Sequence, residues 1–419
     1  FGKQKEEIKH NFIMPTSEIN TKLADVRIST QTFESLPTPQ NIVQHTMTKA
    51  EEDALLQRIS PFFSVKKTAY GGRGCFASQK IAEGTSLLNV ELPMGSSVVR
   101  PFRKEVCTWC FHYDNGRSMK FRLVDKIYFC SDDCRSNFVA YDFDGSLTTT
   151  LCAAEDLYVK CAGEISDKDV PADENELSKV YDEQWKSVCD WESRVFRMKP
   201  SKRPLHYPTV TAEDYAEIRY VVSTLHNMSR CKKQACEDEE PANSGEMPYL
   251  SDLSPFARKE FEVKAFDILQ SSEMDKVKRY PYLLVSYMNI YKFVRLICPE
   301  SWLPFVSPQS IRDIIGRNLT NAFGIWSPVT QEGEEREFFG FGVYPSASFF
   351  NHSCAFNIRK VRTGASYEFI ASRDILPGEE LCISYGINGD ESVAQRRESL
   401  REWFFTCGCT KCTTESENV

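Results

Sequence analysis

No stretch of this chain carries about 18 consecutive apolar residues, so a membrane-spanning helix is excluded by composition alone. Positive charge is not in excess: 51 Lys and Arg stand against 59 Asp and Glu, a formal net charge of −8. A protein that grips nucleic acid mainly through phosphates carries the opposite balance, so such contact is not expected as the main function. No charged start leading into an apolar middle opens the chain, and nothing present reads as a secretory segment, although the first residue is Phe1 rather than Met. An internal repeat is also lacking.

Cysteine, by contrast, is abundant, with 16 in 419 residues. In a secreted chain these would read as disulfides, and in a reducing compartment close pairs read better as metal ligands, so spacing must arbitrate. CTWC (107–110) and CSDDC (130–134) form a C-x2-C and a C-x3-C separated by nineteen residues. Cys107, Cys110, Cys130 and Cys134 thus supply four thiolates in two biting pairs. That pattern predicts a closed, structural tetrahedral zinc site, against the plainer alternatives of two disulfides or four buried thiols. The second cluster, CGCTKC (407–412), offers Cys407, Cys409 and Cys412, one ligand short of a tetrahedron. Cys354, in FFNHSCAFN (349–357), is a candidate for the fourth; spacing alone does not choose it over Cys382, Cys75 or a histidine. Asn351-His352-Ser353-Cys354 also admits a thiol nucleophile with a histidine base, or a plain turn capped by Asn and Ser.

Along the chain, residues 1–60 are polar and read as an extension with a short helix near 49–59. Phe62-Phe63-Ser64-Val65 followed by TAYGGRGCFAS predicts a strand–turn–strand unit, and IAEGTSLLNVELP a turn at Ala82-Glu83-Gly84 feeding a buried strand. From about 135 to 320 the pattern is helical. Thr211-x-x-Asp214 is a capping box ahead of Tyr215, Ile218, Val222 and Leu225, and KRYPYLLVSYMNIYKFVRLI predicts a buried helix starting near Pro281. CKKQACEDEEPANSGEMP (231–248), with Cys231 and Cys236, reads as a mobile surface loop. After 320 strands return in EFFGFGVYP, SYEFIAS and RDILPGEELCISYG, bent at Pro377-Gly378. A final helix from Asp390, its cap, to Phe404 presents Val393, Leu400 and Phe404.

Taken together, GRGCFAS (72–78), the CTWC…YFCSDDC insert, LTNAFGI (319–325), GVYPSASFFNHSC (342–354), ILPGEELCISYG (375–386) and WFFTCGCTKC (403–412) resemble the SET-domain lysine methyltransferases that carry an inserted MYND zinc finger, the SMYD family. The elements occur in that family's order across most of residues 62–412. The resemblance implies an α+β fold, a β-rich SET domain with pseudoknot-like threading of its C-terminal strand. It would be divided as an N-terminal extension (1–60), the first part of SET (61–106), a reduced MYND-type finger (107–134), a helical insert (135–320), the catalytic part of SET (321–389) and a zinc-bound post-SET segment (390–419).

It further implies S-adenosylmethionine as methyl donor and a protein substrate, histone or non-histone, presenting a lysine. By position, Gly72, Arg73 and Gly74 match the first cofactor loop, Asn321, Asn351 and His352 match cofactor-site residues, and Tyr385 matches the active-site tyrosine. Phe405 matches the aromatic before the last zinc cluster, and Cys354, Cys407, Cys409 and Cys412 match that cluster's ligands. Trp403, Phe404 and Phe405 are expected to wall a lysine channel. The chain departs from the family in lacking a second cysteine pair between 110 and 130 and a His-x3-Cys after 134. His112, Cys152 and Cys161 do not fit the spacing either, so one zinc is expected in the insert and two in all. NHSCAFN also lacks a proline common in the family, and no counterpart of a C-terminal helical-repeat domain is present, so peptide choice is expected to differ. A monomer in the nucleus or cytoplasm is expected, and the rival reading is a catalytically weak SET–MYND scaffold that binds partners.

Overall fold

The computed structural model describes residues 47–70, 72–165, 174–235, 247–328, 336–387 and 389–417. The expected N-terminal extension lies outside the described residues as far as position 46, and so do residues 236–246 of the loop expected at 231–248, Cys236 included; its first residues, 231–235, instead finish the helix Ala212–Ala235, where Cys231 is buried rather than a surface thiol.

Thr48 and Glu51 close a reciprocal capping box that starts α1 (Lys49–Leu56), which buries Leu55 and Leu56. The expected strand–turn–strand unit follows as β1 (Phe63–Lys67) and β2 (Arg73–Ala77), antiparallel with Val65 opposite Cys75. Next come β3 (Ser86–Val90) and β4 (Gly95–Val98), then the finger hairpin of β5 (Phe121–Leu123) and β6 (Ile127–Phe129). Helix α2 (Asp132–Tyr141) starts ahead of the boundary expected at 135. Ser131 accepts from the Cys134 amide at 3.1 Å, and this cap draws the last cysteine of the pair into the first helical turn.

The insert is helical, as expected: α3 (Ser146–Cys161), α4 (Glu174–Arg197), α5 (Ala212–Ala235), α6 (Pro255–Ile268), α7 (Glu273–Arg279), α8 (Leu283–Ile297) and α9 (Pro308–Asn321). The Thr211–Asp214 box closes with two 3.1 Å bonds ahead of α5, whose Tyr215, Ile218, Val222 and Leu225 are buried.

Strands resume with β7 (Ala322–Trp326), β8 (Phe338–Val343), β9 (Asn351–His352), β10 (Ile358–Thr363), β11 (Ser366–Ala371) and β12 (Glu380–Ile383). They form three small sheets besides the finger hairpin, in the orders β1-β2-β12-β9, β10-β11-β3 and β4-β8-β7. Strand β12 pairs antiparallel with β2, Leu381 opposite Cys75, and parallel with β9, Cys382 opposite Asn351. Residues near 75, 351 and 382 are thereby made neighbours.

The last segment differs from expectation. Helix α10 (Val393–Ser399) is capped by Ser392 rather than Asp390, because Ser392 and Gln395 satisfy each other's orphan amides in a capping box. The helix does not reach Phe404, which sits at φ 59° in a left-handed turn. Helix α11 (Thr410–Glu417) closes the described chain.

Inside the insert, Glu217 of α5 accepts from the Asn318 carboxamide of α9 at 3.0 and 2.8 Å. Burial pushes its carboxyl up to about 8, against an ordinary value of 4.5. As pH rises between these values the unfolded chain ionises while folded Glu217 stays protonated, so stability falls. Thermal unfolding from pH 5 to pH 8 should show this loss, and Glu217→Gln should flatten it and melt higher than wild type at pH 8.

Candidate active site and metal centres

Asn351 occupies a place that only glycine leaves open. Its carboxamide nitrogen lies 3.0 Å from the Arg73 carbonyl, 2.9 Å from the Glu380 carboxylate and 3.2 Å from the Tyr70 hydroxyl, which itself donates to Glu380. A Cβ on Gly74 would stand 2.6 Å from the Glu380 oxygen and 2.7 Å from the Asn351 nitrogen. Gly72, at φ 72°, turns the chain into β2. The amide donors of Asn351 are thus committed within the protein. Its carbonyl oxygen accepts from no described donor.

His352, the next residue, points to the opposite side of β9, as strand alternation requires. Its Nδ1 accepts from the Tyr385 amide at 3.2 Å, so the proton of the neutral ring sits on Nε2, 3.3 Å from the Cys354 sulfur. Burial, helped by the charges of Lys360 and Arg396, pulls the imidazole down to about 4 and keeps it neutral. The Tyr385 hydroxyl donates to the Phe350 carbonyl at 3.2 Å, and its ring lies 5.4 Å from His352, 5.8 Å from Trp403 and 6.3 Å from Phe405. Burial and neighbouring acidic groups raise the phenol above its ordinary value, so it remains a hydroxyl.

The structure brings Gly74, Asn351, His352, Tyr385 and Phe405 together, with the backbone of Arg73. The Arg73 guanidinium turns away to Glu52 (2.8 Å) and ties α1 to the site. Asn321 stands at the junction of α9 and β7 and donates to the Arg317 carbonyl at 2.7 Å. Phe404 faces α7, with the Lys276 ammonium 5.0 Å from its ring centre, so Trp403 and Phe405 are the aromatics in contact with Tyr385. Sequence reasoning missed Tyr70 and Glu380. Glu380 lies within ILPGEELCISYG, but a carboxylate there has no meaning until β12 is placed beside β9.

Every described cysteine is free, and two quartets each hold their sulfurs within 4.8 Å: Cys107, Cys110, Cys130 and Cys134, then Cys354, Cys407, Cys409 and Cys412. Cys354 rather than Cys75 or Cys382 joins the terminal cluster. Four convergent thiols fit a tetrahedral structural zinc. The Cys110 thiol hydrogen-bonded to Cys107 lowers the latter to about 5, and backbone amides of Cys412 and Cys354 outweigh burial to lower Cys409 to about 6. Arg396, buried, donates to the Cys412 sulfur at 3.4 Å and pairs with Glu415 at 2.6 Å. A third grouping, Asp142, Asp144 and His226, also lies within 4.8 Å. Its carboxylates are engaged by the start of α3, Asp142 accepting from Leu147, Thr148 and the Thr148 hydroxyl, and Asp144 from Ser146.

The family description "SET domain" matches residues 72–386. A potential protein lysine methyltransferase, SET6 of Saccharomyces cerevisiae, is 30% identical over 400 residues, which is 88% of this chain and 99% of that protein. The histone-lysine N-methyltransferase ASHR2 of Arabidopsis thaliana is 30% identical over 135 residues, 30% of this chain and 33% of that protein. The N-lysine methyltransferase SMYD2-B of Danio rerio is 34% identical over 118 residues, 28% of this chain and 26% of that protein.

Two outcomes test this geometry. Metal analysis of the purified protein should give about two zinc ions per chain, falling to about one in Cys412→Ser; a count of three would mean a further metal site beyond the two quartets. Gly74→Ala should lower stability by about 1–3 kcal/mol in denaturant unfolding, since Asn351 and Glu380 must both move.

Proposed function

The chain belongs to the SET-domain family, and from that premise we propose that it is an S-adenosylmethionine-dependent protein-lysine N-methyltransferase with a reduced, single-ion MYND-type finger. The observation that carries this reading is the junction of Asn351, His352 and Tyr385 with the Gly72–Gly74 turn, made by the pairing of β12 with β2 and β9. That pairing, which sets a late strand between an early one and β9, also supports pseudoknot-like threading. S-adenosylmethionine, when bound, supplies a methyl group on a positively charged sulfur. The uncommitted Asn351 carbonyl suits the donor's amino group, and Gly72 and Gly74 allow the backbone to approach closely. In this reading Asn321, Arg73, His352 and Phe405 complete the donor site.

The acceptor must arrive as a neutral amine. A free lysine has a pKa near 10.4, so about one in a thousand is neutral at pH 7.4. An aromatic wall of Tyr385, Trp403 and Phe405 desolvates the ammonium and favours loss of its proton to solvent. The protonated Tyr385 hydroxyl then orients the amine lone pair, and no carboxylate base is needed. The substrate is a protein, histone or non-histone, and a nuclear or cytoplasmic setting suits so many free thiols.

The 3.3 Å approach of His352 to Cys354 invites a thiol-protease reading, but it fails on protonation. Nδ1 is occupied by the Tyr385 amide, so the nitrogen facing sulfur already carries a proton and is no base. The rival reading is a catalytically weak SET–MYND scaffold that recruits protein partners through its finger; the presence of Asn351, His352 and Tyr385 favours the enzyme.

Tyr385→Phe should lower methyl transfer roughly 100-fold while donor affinity stays within about twofold. Transfer is read by mass spectrometry of cell-extract proteins incubated with labelled donor, and affinity by calorimetry. Donor binding without transfer in the wild type would favour the scaffold.

A further inference from the structure

Strand β10 is the edge of its sheet, and its sequence IRKVRT places two cations where alternation calls for apolar groups. Ile358, Lys360 and Arg362 stand opposite Ala371, Phe369 and Tyr367, all buried, so Lys360 and Arg362 share the inward face while Arg359 is exposed on the other. Arg362 is satisfied, donating to the Gly364 carbonyl at 2.9 Å and the Trp326 carbonyl at 3.2 Å. Lys360 is not. Its ammonium lies 5.5 Å from the ring centre of Phe323, and among the described residues it meets no carboxylate or hydrogen-bond acceptor.

This cation lies beside the proposed site. Phe323 follows Asn321 by two residues on β7. Phe369, directly across from Lys360, stacks on Phe350 at 4.9 Å, and the Phe350 carbonyl receives the Tyr385 hydroxyl. The basicity of this ammonium is pulled down to about 8, by burial and then by the charge of Arg336. An ammonium held half-buried against a ring, with no counter-charge among the described residues, is a costly arrangement that an arriving anion would relieve.

We infer that Lys360 is a specificity-determining residue of the substrate surface, and that the half-buried cation beside Phe323 favours target lysines flanked by aspartate or glutamate. The inference rests on the methyltransferase reading and adds the class of substrate. A carboxylate next to the target lysine gains a charge-assisted contact at Lys360, whereas a basic flank meets a like charge. The competing explanation is that an inward lysine only guards an edge strand against pairing with another chain.

Wild type, Lys360→Met, Lys360→Glu and, as a control on the same strand's outer face, Arg359→Met are incubated with cell-extract proteins and labelled donor, and the methylated sites are sequenced. One labelled site is then made as a peptide pair, Asp or Asn beside the lysine. Wild type and Arg359→Met should prefer the Asp peptide by about tenfold in kcat/KM; the ratio should fall to about 1 in Lys360→Met and below about 1 in Lys360→Glu. An equal ratio in wild type and Lys360→Met overturns the inference, as does a change confined to self-association on size exclusion. A parallel change in Arg359→Met also overturns it, since net charge would then suffice. No labelling by wild type overturns the transferase reading itself, and this inference with it.

Discussion

Four sulfur atoms from positions 354, 407, 409 and 412 stand within 4.8 Å of one another, and as thiolates they repel unless a cation lies among them. A cation there would fix the end of the chain. It would hold Trp403 and Phe405 against Tyr385 and, through Cys354, fasten the residues that follow Asn351 and His352. Without it the aromatic wall would be a frayed terminus, because the segment from 400 to 412 has little core of its own beyond Leu400, Cys407 and Cys412. Arg396 and His352 each direct an N–H at a cluster sulfur, which moderates the negative charge and fixes sulfur orientation.

The opposite side of the site is organised by space rather than charge. Gly74 has no side chain, so the Asn351 carboxamide can reach the Arg73 carbonyl and Glu380 at once. This ties β2, β9 and β12 at one point, and the Tyr70 hydroxyl covers it from outside. The metal side and the glycine side meet at Asn351-His352, two residues whose side chains point opposite ways because they form a strand. His352 serves the aromatic and sulfur side; Asn351 serves the glycine turn.

The helical insert acts on this arrangement from outside it. Arg73 binds Glu52 and the Ile268 carbonyl at the end of α6, while Arg279 of α7 donates to the Arg401 carbonyl at 2.7 Å, ahead of the terminal cluster. The finger is built separately, its sulfurs converging from a turn, the end of a hairpin and the first turn of α2. Val106 and Phe111 beside it pack with Ile325 of β7 and Phe339 of β8.

Much of this was legible in the residue order. Cysteine spacing specified one complete quartet and three quarters of another, since ligand geometry limits how far apart biting thiols can lie. The capping box at Thr211–Asp214 and the alternation of apolar residues marked helices and strands, because both are local effects. Where two caps competed locally, at Asp390 and Ser392, hydrogen-bond reciprocity with Gln395 decided, a detail that composition does not reveal. Only the tertiary structure chose Cys354 over Cys75 and Cys382, recruited Tyr70 and Glu380, turned Phe404 and the Arg73 guanidinium aside, and set Lys360 against Phe323. Each of those outcomes depends on segments far apart in sequence being paired strand to strand, and neither local propensity nor spacing carries that information.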